Sequence, residues 1–384
     1  AVWGKARWDD GEEARGVPGL LNLGNSCFMN SVMQALLHTP VLRNFFLADK
    51  HRPVCNAPDC LACELDALCC ESFSRSRTRG FLVPQRVLEI VWKNCEHLAS
   101  YEQHDAHEFF IAVLNILDTH CRNAASSRLA DPVRRRKLAP AVDPYRTIIK
   151  DVFCGQLRSY VTCKTCGNRS PTEEDFFDIS LGIKNVEPPS TSSAAASTAA
   201  TAGAVLPDGS LHSISPGGSA TPTTDSPTPT SNALSSCLAR FTQPEDLGSR
   251  HKMMCDFCHA RQEATKQVSI LRPPPVLCFH FKRFEHSLAP NALPSKLTSH
   301  VQFPTNALDI SPYLSPPPQP PHSPVTNPAP PHHHHSTPPP PPRSPELYDL
   351  FAVVNHQGAT IDRGHYTTTV RGKGGWVVCD DEKV

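Results

Sequence analysis

Cysteine, histidine and aspartate residues of this chain occur in an order that could support nucleophilic catalysis. Cys27 stands between a loop-forming sequence, which includes Gly24 and Asn25, and a run of apolar residues at helical spacing. This pattern predicts that Cys27 opens a helix, where backbone N–H groups and the helix dipole stabilise a thiolate. A buried cysteine on a core helix is the alternative, because cysteine is a common core residue.

A cysteine nucleophile needs a base, and the C-terminal region offers two histidines, His356 and His365. Their spacing does not decide between them. Gly364 precedes His365, which begins a predicted strand on which a catalytic group would be held rigidly, and both features favour His365. The next predicted strand ends at Asp380, from which a carboxylate could reach the imidazole ring. The sequence therefore indicates Cys27, His365 and Asp380 as a candidate catalytic set.

Two clusters of cysteine and histidine have the spacing of zinc ligands. Each offers four nitrogen or sulfur ligands, enough for a tetrahedral structural site with no position left for substrate. A cysteine-rich loop without metal is the alternative for the first cluster, and two unrelated knuckles are the alternative for the second. The ligands would be His51, Cys55, Cys60 and Cys63 in the first cluster, and Cys163, Cys166, Cys255 and Cys258 in the second.

Composition limits the classes of function. The chain has 384 residues, 16 cysteines and a formal net charge of zero. Zero net charge argues against direct nucleic-acid binding through bulk electrostatics, and no apolar run approaches the roughly 20 residues of a membrane span. Many cysteines without an N-terminal apolar signal fit zinc in a reducing compartment better than disulfides, and we expect no organic cofactor. The inserts 186–232 and 312–345, rich in proline or in small polar residues, are predicted to be disordered.

The rest of the sequence passes from helical to strand patterns. Apolar spacing predicts helices from Cys27 to about residue 122, including one whose first turn carries Asp105 and Glu108. From Ile148 onward the pattern is that of strands, which flank both C-x-x-C pairs. The last strands are predicted at 350–355, 366–371 and 376–379.

Four stretches resemble motifs of one enzyme family. They are GLLNLGNSCFMNSVMQALLHTP around Cys27, Q-x-D-A-x-E-F from Gln103, G-H-Y around His365 and W-x-x-x-D-D ending at Asp381. Together they resemble the ubiquitin-specific protease family of deubiquitinases. The resemblance implies thiol-dependent hydrolysis of the bond between the C-terminal glycine of ubiquitin and a substrate lysine.

The resemblance also implies roles for single residues. Cys27 would be the nucleophile, His365 the base, and Asp380 the group that orients the base. Asn22 would hold the oxyanion, with support from Asp381.

The implied fold is α+β, a papain-like cysteine protease hand. A helical thumb (about 16–122) would follow an N-terminal tail (1–15), and zinc-bearing β fingers (about 148–183 and 234–272) would precede an antiparallel β palm (about 273–384). The family pattern continues with further palm strands, so the palm is expected to be truncated. The helix that carries Asp105 and Glu108 would line the channel for the ubiquitin tail, which makes both residues candidates for substrate binding.

Three places resemble more closely the ubiquitin-specific protease of the SAGA transcriptional coactivator: the ligand cluster His51–Cys63, the stretch from CLARFTQPEDLG to KMMCDFCHARQEATKQ, and CFHFKRFEHS. This implies ubiquitin, monoubiquitinated histone H2B and adaptor subunits as partners. It also implies a nuclear location, with the cytoplasm as the alternative. The basic run Arg134–Lys137 is either a nuclear localisation patch or part of a solvated loop.

Two other functions remain compatible with these motifs. One is a catalytically weak or inactive scaffold that binds ubiquitin, and the other is a cysteine protease with a different substrate. The presence of all of Cys27, His365 and Asp380 argues against the first. The zinc-bearing fingers and the Asp105 motif argue against the second.

Overall fold

The computed structural model describes residues 18–74, 80–129, 146–184, 232–285, 295–316, 345–360, 363–372 and 374–384. The predicted N-terminal tail, the run Arg134–Lys137 and most of both predicted inserts lie outside these residues. Among the described residues, no helix is both long and apolar enough to cross a membrane. The helices are α1 (Cys27–Leu37), α2 (Pro40–Leu47), α3 (Leu61–Ser72), α4 (Gln85–Asn94), α5 (Ala106–Leu129), α6 (Ile148–Phe153) and α7 (Leu234–Thr242).

Helices α1 to α6 form the thumb, and α1 lies at its centre. Helix α6 falls in the range expected for the fingers, but its apolar residues are buried in the same core as those of α1. Ten of its eleven residues are buried, so this helix is enclosed on nearly all sides. Phe28 meets Phe109 of α5 edge to face, with ring centroids 5.4 Å apart. Aromatic pairs in this arrangement add to the stabilisation that burial provides. The helix that begins with Cys27 is therefore fixed by the thumb core.

The fingers form a four-stranded antiparallel sheet in the order β4-β3-β9-β6. Its two longest strands, β3 and β9, pair along nearly their whole length. A small hairpin of β7 and β8 carries the second C-x-x-C pair. The strands are β3 (Gly155–Cys163), β4 (Arg169–Phe176), β6 (Glu245–Asp246), β7 (Met253–Cys255), β8 (Ala260–Gln262) and β9 (Ala264–Arg272).

The palm holds several small sheets, of which β15-β16-β17 is antiparallel and packs on α1. Outside the palm, a short parallel pair joins β1, which precedes α1 in the chain, to β2, which follows α3. The remaining strands are β1 (Gly19–Leu20), β2 (Phe81–Leu82), β5 (Ile179–Gly182), β10 (Phe279–Lys282), β11 (Phe284–Glu285), β12 (Ser295–Lys296), β13 (Leu308–Asp309), β14 (Leu347–Tyr348), β15 (Ala352–Gln357), β16 (His365–Gly372) and β17 (Gly375–Cys379).

The structure differs from the sequence-based expectation in three places. Residues Ile148–Phe153 form helix α6 and not a strand, because Thr147 caps the segment by accepting a hydrogen bond from the Lys150 backbone N–H. Strands β5 and β10 pair in parallel. Residues 312–316, assigned to the second insert, pack on the fold: the Tyr313 hydroxyl donates to the Ser235 carbonyl at 3.0 Å.

The ends of the first insert are joined by hydrogen bonds. The Lys184 N–H donates to Asn232 Oδ1 at 3.0 Å, and Asn232 Nδ2 donates to the Lys184 carbonyl at 2.7 Å. Asn232 is buried. These hydrogen bonds therefore join β5 and α7 directly through the two residues at the ends of the first insert.

Candidate active site

Cys27 is the first residue of α1, as the sequence predicts. Gly24 and Asn25 precede it with positive φ angles of 97° and 54°, the left-handed conformation that glycine and asparagine tolerate best. The Ser26 carbonyl accepts the first helical hydrogen bond, from the Asn30 N–H at 2.9 Å. The chain therefore reverses direction directly before α1 begins.

His365 and Asp380 come from neighbouring antiparallel strands. His365 is the first residue of β16, and Asp380 directly follows β17, which pairs with β16. The two side chains meet at 2.5 Å between His365 Nε2 and Asp380 Oδ1, and both are about two-fifths exposed at 41% and 43%. Asp380 therefore holds the His365 ring through Nε2, and the second ring nitrogen, Nδ1, stays available for proton transfer.

Direct contacts hold β16 against α1. The buried Thr368 hydroxyl donates to the Ser31 carbonyl at 2.6 Å, one helical turn after Cys27. The backbone N–H of Tyr366, the residue after His365, is a hydrogen-bond donor to the Cys27 thiol. The residue that follows the candidate base thus contacts the thiol, although among the described residues no hydrogen bond joins the Cys27 sulfur to His365.

Burial raises the pKa of the Cys27 thiol. The Asp381 carboxylate adds to this rise, whereas the backbone N–H groups of Tyr366, Phe28 and Cys27 itself lower the pKa. The backbone donors predicted at a helix start are therefore present, but desolvation of the thiol outweighs their effect on its pKa. The prediction that this position gives a net stabilisation of the Cys27 thiolate is therefore wrong.

Asn22 and Asp381 are joined in one network beside Cys27. Asn22 Nδ2 donates to Asp381 Oδ2 at 2.8 Å, and the buried Asn30 of α1 donates to Asp381 Oδ1 at 2.7 Å. The Leu20 N–H donates to the Asp381 carbonyl at 2.8 Å. Asp381 thus ties the strand before the catalytic helix to the segment after β17, a role that the sequence did not indicate. Asn30 was not identified from the sequence either.

The two candidate substrate-binding residues differ in what they contact. Asp105 lies before α5 and caps it, since its Oδ1 accepts from the His107 N–H at 2.6 Å and more weakly from the Glu108 N–H at 3.4 Å. Glu108 is exposed and lies 3.5 Å from His97. Close by, Gln103 Nε2 donates to the Gly364 carbonyl at 2.8 Å, so this motif contacts the residue before the catalytic histidine.

The second histidine considered as a base, His356, lies behind this site. Its Nδ1 accepts a hydrogen bond from Lys296 Nζ at 2.9 Å, and its Nε2 is buried. It pairs with Tyr366 across the strands β15 and β16. The Nδ1 of His356 is engaged by Lys296 and its Nε2 faces Gly364, so His365 is the better candidate.

Both predicted metal clusters are assembled, and we call them the thumb cluster and the fingers cluster. In each, the four ligand atoms lie within 4.8 Å of one another. The sulfur of Cys166 is 3.6 Å from that of Cys255, and that of Cys163 is 4.0 Å from that of Cys258. A tetrahedral zinc with Zn–S bonds of about 2.3 Å requires sulfurs about 3.8 Å apart, so the residues fit the ion. The thumb cluster comprises His51, Cys55, Cys60 and Cys63, and the fingers cluster comprises Cys163, Cys166, Cys255 and Cys258.

A third group of ionisable residues was missed by sequence reasoning. The rings of His107 and His280 stack with centroids 3.8 Å apart, and His107 Nε2 lies 3.0 Å from Asp178 Oδ2. Burial lowers the pKa of His280 to about 4. The three residues come from α5, the loop before β5, and β10, so only the folded chain brings them together.

Comparison with known proteins identifies the family. A family model described as ubiquitin carboxyl-terminal hydrolase matches residues 18–384. The chain belongs to this family. Ubiquitin carboxyl-terminal hydrolase 22 of Homo sapiens is 38% identical over 369 residues, covering 95% of this chain and 62% of that protein. Ubiquitin carboxyl-terminal hydrolase 27 of Homo sapiens is also 38% identical, and the match covers 95% of this chain and 74% of that protein. The chain thus spans less than two thirds of hydrolase 22.

A solved structure of the same family has a similar fold. In the SAGA Ubp8/Sgf11/Sus1/Sgf73 module bound to ubiquitin aldehyde, one chain matches with a TM-score of 0.64 and 26% identity, covering 95% of this chain and 64% of that one. The predicted family, the papain-like α+β fold and the resemblance to the SAGA-type proteases are therefore confirmed.

Proposed function

We propose that this chain is the catalytic part of a cysteine-type deubiquitinase. The observation that carries the proposal is the convergence of Cys27, at the start of a buried helix, with the His365–Asp380 pair in a member of the ubiquitin carboxyl-terminal hydrolase family. A thiol, a base and a group that orients the base are the requirements for thiol acyl transfer.

In the proposed reaction, the Cys27 sulfur attacks the carbonyl carbon of the C-terminal glycine of ubiquitin. His365 Nδ1 takes the thiol proton and passes it to the departing lysine amine, while Asp380 holds Nε2. Asn22 donates one amide hydrogen to Asp381 and has a second for the oxyanion. Water, activated by His365, then hydrolyses the thioester. A donor of this kind contributes roughly 3 kcal/mol to stabilising the transition state.

The finer proposal concerns the substrate, the partners and the metal. We propose monoubiquitinated histone H2B as the substrate, adaptor subunits as partners and a nuclear location, supported by the likeness to Ubp8 in a module with Sgf11, Sus1 and Sgf73. We also propose that the thumb and fingers clusters each hold one structural zinc ion, because each supplies four converging ligands. Asp105 and Glu108 remain proposed contacts of the ubiquitin tail.

A reaction with ubiquitin that carries a C-terminal electrophile tests the activity. Intact mass should show one ubiquitin added to the parent chain and to Cys70→Ala, and none added to Cys27→Ala. Cys70 is an exposed cysteine, so its variant is the matched control for non-specific labelling. An adduct on Cys27→Ala would contradict the assignment of the nucleophile.

An inactive scaffold is the second candidate, favoured by the raised pKa of Cys27 and by the lack of a described hydrogen bond between its sulfur and His365. Binding of ubiquitin by the parent chain without any adduct would support this scaffold. Loss of both binding and labelling would contradict both candidates.

A further inference from the structure

Lys296 makes an unusual set of contacts in the palm. Its Nζ donates to His356 Nδ1 at 2.9 Å, to the His356 carbonyl at 2.8 Å and to the Gly358 carbonyl at 3.0 Å. An ammonium group has three N–H donors, and here all three are directed at one end of β15. Lys296 lies on β12 and is far from His356 in the sequence, so its contacts attach a separate strand to the β15–β16 hairpin.

These contacts determine the state of the His356 ring. Because Nδ1 accepts a hydrogen bond from an ammonium group, the ring is neutral and its proton lies on Nε2. Burial and the nearby Lys296 charge both lower the pKa of His356, in agreement with a neutral ring. Phe284 and Tyr366 enclose the ring, with centroids 5.6 Å and 4.6 Å from it.

The His356 ring packs directly against the residue that precedes the catalytic histidine. A Cβ placed on Gly364 would lie 2.2 Å from His356 Nε2 and 2.4 Å from the Gln357 carbonyl oxygen. Gly364 is therefore pressed against the imidazole edge. On its other side, its carbonyl accepts the hydrogen bond from Gln103. The position of His365 is thus set from the thumb by Gln103 and from the palm by His356.

We propose that Lys296 is a positioning residue for catalysis, which acts through His356 and Gly364 to hold His365 in register with Cys27. The proposal rests on the proposed deubiquitinase activity. Lys296 does not touch substrate or the reacting atoms in this role. Its removal should displace the hairpin and misplace the base.

The test compares Lys296→Met and Lys296→Gln with Lys282→Met, an exposed lysine on β10 that serves as the matched control. Hydrolysis of ubiquitin with a fluorogenic C-terminal amide gives kcat and KM. We expect Lys296→Met to lower kcat by about tenfold or more while KM changes by less than about twofold, because small displacements of catalytic groups are costly. Lys296→Gln keeps an N–H donor, so its kcat should lie between those of Lys296→Met and Lys282→Met. Thermal midpoint and zinc content show whether each variant folds.

Equal kcat values for Lys296→Met and Lys282→Met would overturn the proposal, as would a loss confined to KM. If Lys296→Met does not fold, the kcat of Lys296→Gln decides. If the parent chain itself has no turnover, the deubiquitinase proposal fails separately. The alkylation rate of Cys27, followed by peptide mass, then tests the positioning role: slower alkylation in Lys296→Met than in the control supports it, and equal rates refute it.

Discussion

Removing one ligand from each metal cluster should have very different effects on the catalytic helix. Cys60 of the thumb cluster and Cys27 belong to the same buried core, and Cys60 is only 2% exposed. The fingers cluster lies at the ends of β3 and β7, outside both buried hydrophobic clusters of the described residues. We therefore expect Cys60→Ser to destabilise the thumb as a whole, and Cys255→Ser to affect the fingers.

The expected magnitude follows from the burial of the thumb cluster. A structural zinc ion contributes on the order of 10 kcal/mol to folding, which is comparable to the roughly 5–15 kcal/mol that stabilises a whole protein. Loss of even about 3 kcal/mol would lower the Tm of a domain of this size by roughly 6–12 °C.

Metal content, circular dichroism and labelling of Cys27 measure these effects together. The parent chain should release two zinc ions per chain on denaturation, and each variant one. Cys60→Ser should melt at a lower temperature and lose its reaction with the ubiquitin electrophile. Cys255→Ser should keep helical signal and alkylation of Cys27 by a small reagent. The reasoning would be refuted by an unchanged Tm in Cys60→Ser after verified loss of one zinc ion.

Three further outcomes are expected. Thr368→Val removes the buried hydrogen bond to α1 and should lower the free energy of unfolding by about 1 kcal/mol in urea titrations; no change would mean that packing alone joins α1 to β16. Phe109→Ala should cost about 3–5 kcal/mol, because the ring is fully buried, and a cost below 1 kcal/mol would contradict this. The folded-state pKa of His280, about 4, lies below its unfolded value, so stability should fall as the pH drops from about 6.5 to 4, by about 1.4 kcal/mol per pH unit. His280→Gln should flatten that slope, and an unchanged slope would assign it to other groups.

Much of the candidate site could be predicted because its chemistry is local in the sequence. Cys27 is marked by a turn followed by helical spacing, and both metal clusters are marked by short ligand spacings. The pairing of His365 with Asp380 also follows from order, since two strands joined by a short turn must be antiparallel neighbours.

The features that were missed depend on contacts between distant segments. The role of Asp381 requires Asn22 and Asn30, more than 350 residues earlier in the chain. The parallel pairing of β5 with β10 likewise has no short-range signal, because the two strands are separated by the first insert and most of the fingers. The net rise in the pKa of Cys27 reflects burial in the folded chain, which a helix-start argument does not include.

The hydrogen bonds between Lys184 and Asn232 have a consequence for how this protein could be altered. They hold Lys184 and Asn232, the residues at the two ends of the first insert, next to each other in the fold. The insert therefore begins and ends at the same place. Closing such a loop becomes only about 0.6 kcal/mol more costly for each doubling of its length. The position should therefore accept a folded guest, such as a fluorescent domain whose own termini are close together. It should equally tolerate wide variation in length during evolution.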